Sequence, residues 1–454
     1  MKHRILLLLI AAILSCQTLL AQSLAITPLQ TPQGPYEYEV IPDNEAFRSF
    51  NPRKSPEPGP LLLREGDRLA ICGDSITEQK MYSRIIETYL TVCDPQLDVT
   101  VRQYGWSGEK TDGFLRRMDQ DCLTFQPTIA TLSYGMNDSR YRPFDVTNGR
   151  WYEDHYTAIV RRFKEHDVRV VVGSPGCAGK IASWVGSRAG TLEQHNIHLC
   201  ALRDIAMDVA EKEDVRFADV FWPMLQAQVF APDQHPSTLE DPYLVAGDDG
   251  IHPGWAGQVI MAWSYLRAMG LDGEIGTITV DIESGAATAS DGHSVQSFEN
   301  GTLQLVSSRY PFCARGDLDD DGSIRSGMTL VPFPEDLNRF VLKVSGDLPG
   351  TYRVQWGDAV REYSAEELIN GVQLPVDFPE NPFCAAFDRV DAAVAAKQAF
   401  ETTQVKRIFH GPEGRADFEA AVRETEAQRA PLAAAIAEAM TPVTHSIEIQ
   451  RVGQ

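Results

Sequence analysis

The sequence predicts an α/β protein: a three-layer α/β/α sandwich around a parallel sheet, followed by a β-rich and then a helical C-terminal region. Three observations carry this. From Arg68 to Gly270, short apolar runs of buried-strand length alternate with stretches whose apolar residues recur at helical spacing, which is the pattern of strand and helix units that builds a parallel sheet covered on both faces. Beyond about Leu271 the pattern changes to short alternating runs separated by turn residues, as antiparallel strands read. Towards the end two long helical patterns appear, Phe387 to Phe400 and Phe418 to Met440, before a possible closing strand at Ser446 to Val452.

Taken in order, Lys2, His3 and Arg4 precede the apolar stretch Ile5 to Leu14, with small residues at Ser15 and Ala21. This reads as an export signal over residues 1–21, cleaved after Ala21. Ile13-Leu14-Ser15-Cys16 also resembles a bacterial lipoprotein box, which would leave a lipid anchor at Cys16. The apolar run is shorter than the ~20 residues a spanning helix needs, so no membrane span is expected in the mature protein. An exported location follows, whether periplasmic, secreted or lipoprotein-anchored. Residues 22–62 are rich in proline and polar side chains and read as an extended lead-in.

Within residues 63–271 the strand-like runs are Arg68 to Cys72, Val99 to Val101, Thr128 to Leu132, Val168 to Gly173 and Val215 to Ala218. Helical patterns cover Met81 to Val92, Trp151 to Phe163, Leu192 to Glu211 and Trp255 to Met269. Residues 272–375 form the β-rich region, with runs at Thr277 to Val280, Thr302 to Val306, Phe340 to Val344 and Tyr352 to Trp356. Residues 376–454 form the helical region.

The chemistry concentrates at the ends of the first strands, where functional sites of such sheets gather. Gly73-Asp74-Ser75 places a serine on a strand-to-helix turn, although Asp74 and Ser75 are also ordinary helix-capping types. Gly105-Trp106-Ser107-Gly108-Glu109 follows the second strand, and Gly135-Met136-Asn137-Asp138 the third. Asp248-Asp249-Gly250-Ile251-His252-Pro253 precedes the last helix of this part. A serine hydroxyl is a poor nucleophile until a base takes its proton, and an imidazole with its ordinary pKa of about 6.5 suits that at neutral pH. His252 is the candidate base. Asp249, three residues earlier, can accept the other ring N–H and fix the tautomer.

Composition bounds the partners. The 454 residues suggest two or three domains, and 43% apolar with 23% charged residues is ordinary for a globular chain. A net charge of −22, from 41 basic and 63 acidic residues, argues against nucleic acid or an anionic membrane surface as main partner, because both repel an acidic protein. The eight cysteines lack the close paired spacing of zinc sites, and buried free thiols are the expected state of most. Asp317 to Gly322 opens like a calcium loop, but its twelfth position is Met328 instead of an acidic residue, so a solvated acidic turn is expected.

The four blocks, in this order, resemble the SGNH (GDSL) hydrolase superfamily: Gly-Asp-Ser, a glycine, Gly-x-Asn-Asp and Asp-x-x-His-Pro. The resemblance covers roughly Leu63 to Gly270. It implies a flavodoxin-like sheet and a serine esterase acting through Ser75, His252 and Asp249, without metal or organic cofactor. It further implies an oxyanion hole made by the backbone N–H of Ser75, the backbone N–H of Gly108 and the side-chain amide of Asn137. Where relatives often carry Asn before the second-block glycine and Asp after it, this chain has Gln103 and Glu109, which leaves Gly105 as an alternative to Gly108. Asp74 is read as an anchor of the turn.

Three functions are weighed. The first is an exported esterase removing short acyl groups, acetyl above all, from a small-molecule or carbohydrate ester, with Trp106, Tyr134, Tyr141 and Trp151 as candidates for a sugar platform or for plain packing. The second is a lipid esterase, lysophospholipase or thioesterase, which needs an apolar groove that the polar stretch Tyr134 to Asn148 does not suggest. The third is a non-catalytic glycan-binding protein.

Overall fold

The computed structural model describes residues 36–453 apart from Leu239. The expected export signal, Cys16 and the first part of the lead-in lie outside the described residues. Five parallel strands form the first sheet: β1 (Arg68–Gly73), β2 (Thr100–Gly105), β3 (Ile129–Ser133), β4 (Arg169–Gly173) and β5 (Arg216–Ala218). Their spatial order is β2-β1-β3-β4-β5, the flavodoxin-like order, whose switch point lies between the first and third strands. Leu69 pairs with Val101 on one side and Ile129 on the other.

Because successive strand residues face opposite sides, β1 feeds two cores. Leu69 and Ile71 pack on one face with Ile85 of α2 (Tyr82–Cys93) and Val259 of α7 (Trp255–Ala268). Ala70 and Cys72 pack on the other with Phe114 of α3 (Thr111–Asp121), Ile159 of α4 (Val146–Lys164) and Val209 of α5 (Leu192–Lys212). The three layers of the sandwich follow from this alternation. The start of α5 is sharp because Thr191 Oγ accepts the Gln194 N–H at 3.1 Å while Gln194 Oε1 accepts the Thr191 N–H at 3.0 Å. A four-residue helix, α1 (Ser75–Glu78), follows β1 directly, and α6 (Phe221–Gln234) follows β5.

The C-terminal half holds two further sheets. One has the order β13-β10-β6-β7, from β6 (Glu274–Asp281), β7 (Ala286–Ala289), β10 (Arg339–Ser345) and β13 (Val372–Gln373). The other has the order β12-β11-β14-β9-β8, from β8 (His293–Glu299), β9 (Thr302–Ser307), β11 (Thr351–Trp356), β12 (Ala359–Ser364) and β14 (Val443–Arg451). The expectation of antiparallel strands fails at one place: β6 and β10 run parallel, Ile278 beside Leu342. Alternation along each strand reports a half-buried face and carries no direction, and the chain between these two strands is long enough to return in either sense.

Helix α8 (Cys384–Thr403) lies against α2 and β2 and continues into a π-helical stretch, Gln404–Phe409, before α9 (Phe418–Ala439). Lys397 on α8 is buried with its Nζ 2.5 Å from the Val101 carbonyl, 3.0 Å from Glu87 and 2.9 Å from Glu401, and Arg429 on α9 reaches Glu401 at 2.7 Å. Buried charges are tolerated in this way only when fully partnered. One hydrophobic core runs from Ile71 through Tyr310 to Trp356, so the change of pattern near Leu271 is not a break in packing. Seven cysteines, Cys72 to Cys384, are buried free thiols, and the Asp317 to Gly322 turn is mostly exposed.

Candidate active site

The site begins with close packing at the end of β1. A Cβ on Gly73 would sit 2.1 Å from Thr77 Oγ1, so only glycine lets the chain turn here into α1. Asp74 caps that helix, its Oδ1 accepting the Ile76 N–H at 2.9 Å. Ser75 is the first helical residue, half-buried, with its hydroxyl turned to the loop before α7.

That loop brings the histidine. His252 Nε2 lies 2.7 Å from Ser75 Oγ, and His252 Nδ1 lies 2.7 Å from Asp249 Oδ2. Asp249 Oδ1 accepts the backbone N–H groups of Ile251 and His252, both at 2.8 Å. Burial opposes the charge on Asp249, yet these hydrogen bonds outweigh it and hold the carboxyl below its ordinary range. An ionised Asp249 accepts a hydrogen bond from Nδ1–H and so holds the proton on that nitrogen, which leaves the Nε2 lone pair for the serine hydroxyl. Asp248 is exposed and takes no part. The loop keeps its shape through Gly247 and Gly250, both at positive φ; a Cβ on Gly247 would meet the His252 carbonyl oxygen at 1.9 Å. The Gly179 N–H donates to the Gly250 carbonyl at 2.9 Å, tying this loop to the one after β4.

Asn137 enters from the loop after β3. Its Nδ2 donates to Asp74 Oδ2 at 3.0 Å, and its Oδ1 accepts from the Tyr141 hydroxyl at 2.9 Å. With one amide hydrogen on Asp74 and the carbonyl oriented by Tyr141, the second amide hydrogen remains for a ligand. Asp138 braces the same loop, accepting from the Thr111 N–H (2.9 Å), the Thr111 hydroxyl (2.6 Å) and the Gly135 N–H (3.0 Å). Burial pushes the Asp74 carboxyl up to about 7 and that of Asp138 up to about 6, against the hydrogen bonds each accepts.

The second block settles between its two glycines. The Gly105 N–H is taken by Gln103 Oε1 at 3.0 Å, and a Cβ on Gly105 would lie 2.2 Å from the Glu78 backbone nitrogen. Gly105 is a packing glycine. Gly108 sits on an exposed turn at φ 74° with nothing within 4 Å of a built Cβ, and its N–H has no acceptor among the described residues. Of the departures in this block, Gln103 is spent on Gly105 and on Thr402, and Glu109 is buried against Arg117 at 2.7 Å.

Of the aromatic candidates, Tyr134 is a core residue stacked on Phe114, and Tyr141 orients Asn137. Trp106 packs edge-on against His410, and Trp151 lies under Arg140. The aromatic residue beside the reactive pair is one that sequence reasoning missed. Trp184, 47% exposed on the loop after β4, has its ring centroid 6.0 Å from that of His252. Its one sequence signal is a place after a strand end, where sheets of this type put ligand-facing loops. Among the described residues no cluster of three or more metal-ligating side chains occurs, and no helix is long and apolar enough to cross a membrane.

A model of the GDSL-like lipase/acylhydrolase family matches residues 71–260, the span from the end of β1 into α7. No curated protein sequence matches the chain significantly. Among solved structures, BT4096, a gut microbial diltiazem-metabolizing enzyme, superposes with a TM-score of 0.67 at 20% identity over 88% of this chain and 100% of its own. This likeness extends the shared fold well beyond the first sheet. A putative GDSL-like lipase from Parabacteroides merdae gives a TM-score of 0.38 at 21% identity over 47% of this chain and 99% of its own. The acetylxylan esterase Axe2 from Geobacillus stearothermophilus gives 0.37 at 20% identity over 46% and 97%.

Proposed function

We propose that this chain, whose residues 71–260 match the model of the GDSL-like lipase/acylhydrolase family, is a carboxylic ester hydrolase: an exported serine esterase that removes short acyl groups, acetyl above all, from a hydroxyl-rich leaving group such as a carbohydrate. The observation that carries the catalytic part is the unbroken chain from Ser75 Oγ through His252 to Asp249, with both links at 2.7 Å. Ser75 attacks the ester carbonyl while His252 Nε2 takes its proton. The imidazolium, stabilised by Asp249, then hands that proton to the departing alcohol. Water, deprotonated by the same nitrogen, releases the acid from the acyl-serine. The negative oxygen of each tetrahedral intermediate is met by the N–H groups of Ser75 and Gly108 and by the Asn137 amide; losing one such donor typically costs about 10²–10³ in rate.

The acyl and alcohol preferences rest on the surroundings of Ser75. His252 bonds to it, Asn137 bonds to the adjacent Asp74 and Tyr141 to Asn137, and Trp184 beside His252 offers an exposed ring of the kind that packs on a sugar or aryl face. An aliphatic groove would gain about 0.8 kcal/mol for each buried methylene and favour long chains. The basic start Lys2 to Arg4 and the apolar run after it support export. The test is a series of p-nitrophenyl esters of graded length beside acetylated oligosaccharides. Turnover should fall steeply from acetate to octanoate, and Trp184→Ala should raise KM for the oligosaccharide while leaving kcat on p-nitrophenyl acetate within about twofold. Turnover that improves steadily with chain length would replace this reading with a lipid esterase.

A further inference from the structure

We propose that Lys406, far away in the C-terminal helical region, is a positioning residue for the reaction at Ser75: through Glu78 and Ser107 it fixes the turn that carries the Gly108 N–H. The proposal rests on the reading of Ser75 as nucleophile and Gly108 as oxyanion donor. Glu78 ends the short helix that Ser75 begins. Glu78 Oε2 accepts from both the backbone N–H and the hydroxyl of Ser107, each at 2.5 Å. Lys406 Nζ lies 2.7 Å from both Glu78 oxygens and 5.1 Å from the centroid of the Trp106 ring, one residue before Ser107. One carboxylate thereby clamps the nucleophile's helix to the oxyanion turn, and the ammonium neutralises and orients it. Burial disfavours the charged form of Glu78, but Lys406 and Ser107 overcome this and hold its carboxyl below the ordinary range.

The clamp acts at the exposed tip of the turn. Nothing lies within 4 Å of a Cβ built on Gly108, whereas the flanks are already held, the Trp106 N–H by the Gly73 carbonyl and the Glu109 N–H by the Trp106 carbonyl. Lys406 in turn is held on a rigid support. It lies in the π-helical stretch Gln404–Phe409, a rare geometry that recurs at functional positions. On one side Gln404 Nε2 donates to Glu426 at 2.6 Å, and on the other Phe409 stacks on Phe125. His410 adds contacts to Asp121, at 2.8 Å, and to the Trp106 ring. Through Lys406 the C-terminal region thus holds the turn beside Ser75 in place.

The experiment compares Lys406→Met, Lys406→Arg, Glu78→Gln and the Lys406→Met/Glu78→Gln double variant in the full chain, using p-nitrophenyl acetate and fluorophosphonate labelling of Ser75. Lys406→Met should lower kcat about tenfold with KM little changed, less than the about 10²–10³-fold cost of losing an oxyanion donor outright. Lys406→Arg should recover most of the rate. The double variant should be no slower than the worse single one, because both act through one clamp. If Lys406→Met does not fold, Glu78→Gln carries the same kcat and KM test. A wild type that labels at Ser75, with kcat unchanged in folded Lys406→Met or Glu78→Gln, overturns this proposal alone. A wild type that neither labels at Ser75 nor turns over esters overturns the nucleophile reading, and this proposal with it.

Discussion

Asn137 Nδ2 donates a 3.0 Å hydrogen bond to Asp74 Oδ2, which joins the turn of the reactive serine to the loop after β3. Asp74 thus acts as more than a helix cap: it sets the orientation of the amide proposed as an oxyanion donor. Its burial has a consequence for stability. Burial raises its carboxyl to about 7, and that of Asp138 to about 6, while an unfolded aspartate titrates near about 3.9. A raised folded-state value means that the stabilisation is complete below about pH 4 and is lost as pH rises through about 7. Chemical denaturation of the protein should therefore show stability declining across that window. Asp74→Asn should flatten the decline by about 2–4 kcal/mol, since each pKa unit is worth about 1.4 kcal/mol, and should lower kcat because Asn137 loses its acceptor. An unchanged slope in the variant would show that Asp74 does not titrate there.

The two adjacent aspartates before His252 should separate cleanly. Asp249→Asn keeps the shape but reverses the partner of Nδ1, and should cost about 10²–10⁴ in kcat. Asp248→Asn, at an exposed position, should stay within about twofold of wild type. Because the Asp249 carboxyl is held below its ordinary range, the stability it contributes is present above about pH 4 and is lost only as pH falls through its lowered value. Steady-state rates of the two variants decide the matter, and a larger loss in Asp248→Asn would reassign the orienting carboxylate.

Gly105 and Gly108 should also part company. Gly105→Ala forces a Cβ to 2.2 Å from the Glu78 nitrogen, so the turn of α1 must move, and the melting temperature should fall by several degrees. Gly108→Ala meets no neighbour and pays only the left-handed backbone strain of about 1–2 kcal/mol. It should remain folded, keep its N–H, and lose kcat only as far as the strained turn shifts that N–H. Calorimetry with rates on p-nitrophenyl acetate reads both effects, and a larger fall in melting temperature for Gly108→Ala than for Gly105→Ala would reverse the two assignments.

The residues that the sequence could mark were those at strand ends in a fixed local setting. Ser75 follows an apolar run and opens a helix, and His252 sits in Asp-x-x-His-Pro, so both stood out as candidates in the sequence, whereas the 2.7 Å between them is a property of the fold. The parallel sheet was legible in the alternation of strands and helices, while its flavodoxin-like order was what the family resemblance implied. What was not legible depends on contacts between distant segments. The parallel pairing of β6 with β10 has no local signature. Trp184 lies in a loop with no periodicity, and Lys406 reaches Glu78 across 328 positions of sequence. Gly105 and Gly108 look alike as letters; only the backbone of α1, packed against the first and away from the second, tells them apart.

The central claim, that Ser75 is the nucleophile activated by His252, is tested most directly by fluorophosphonate labelling of the purified protein, with the adduct located by peptide mass spectrometry. A single adduct on Ser75 is expected, absent in Ser75→Ala and strongly slowed in His252→Ala, with ester turnover lost in both variants. An adduct on another residue, or undiminished ester hydrolysis by folded Ser75→Ala, would contradict the account.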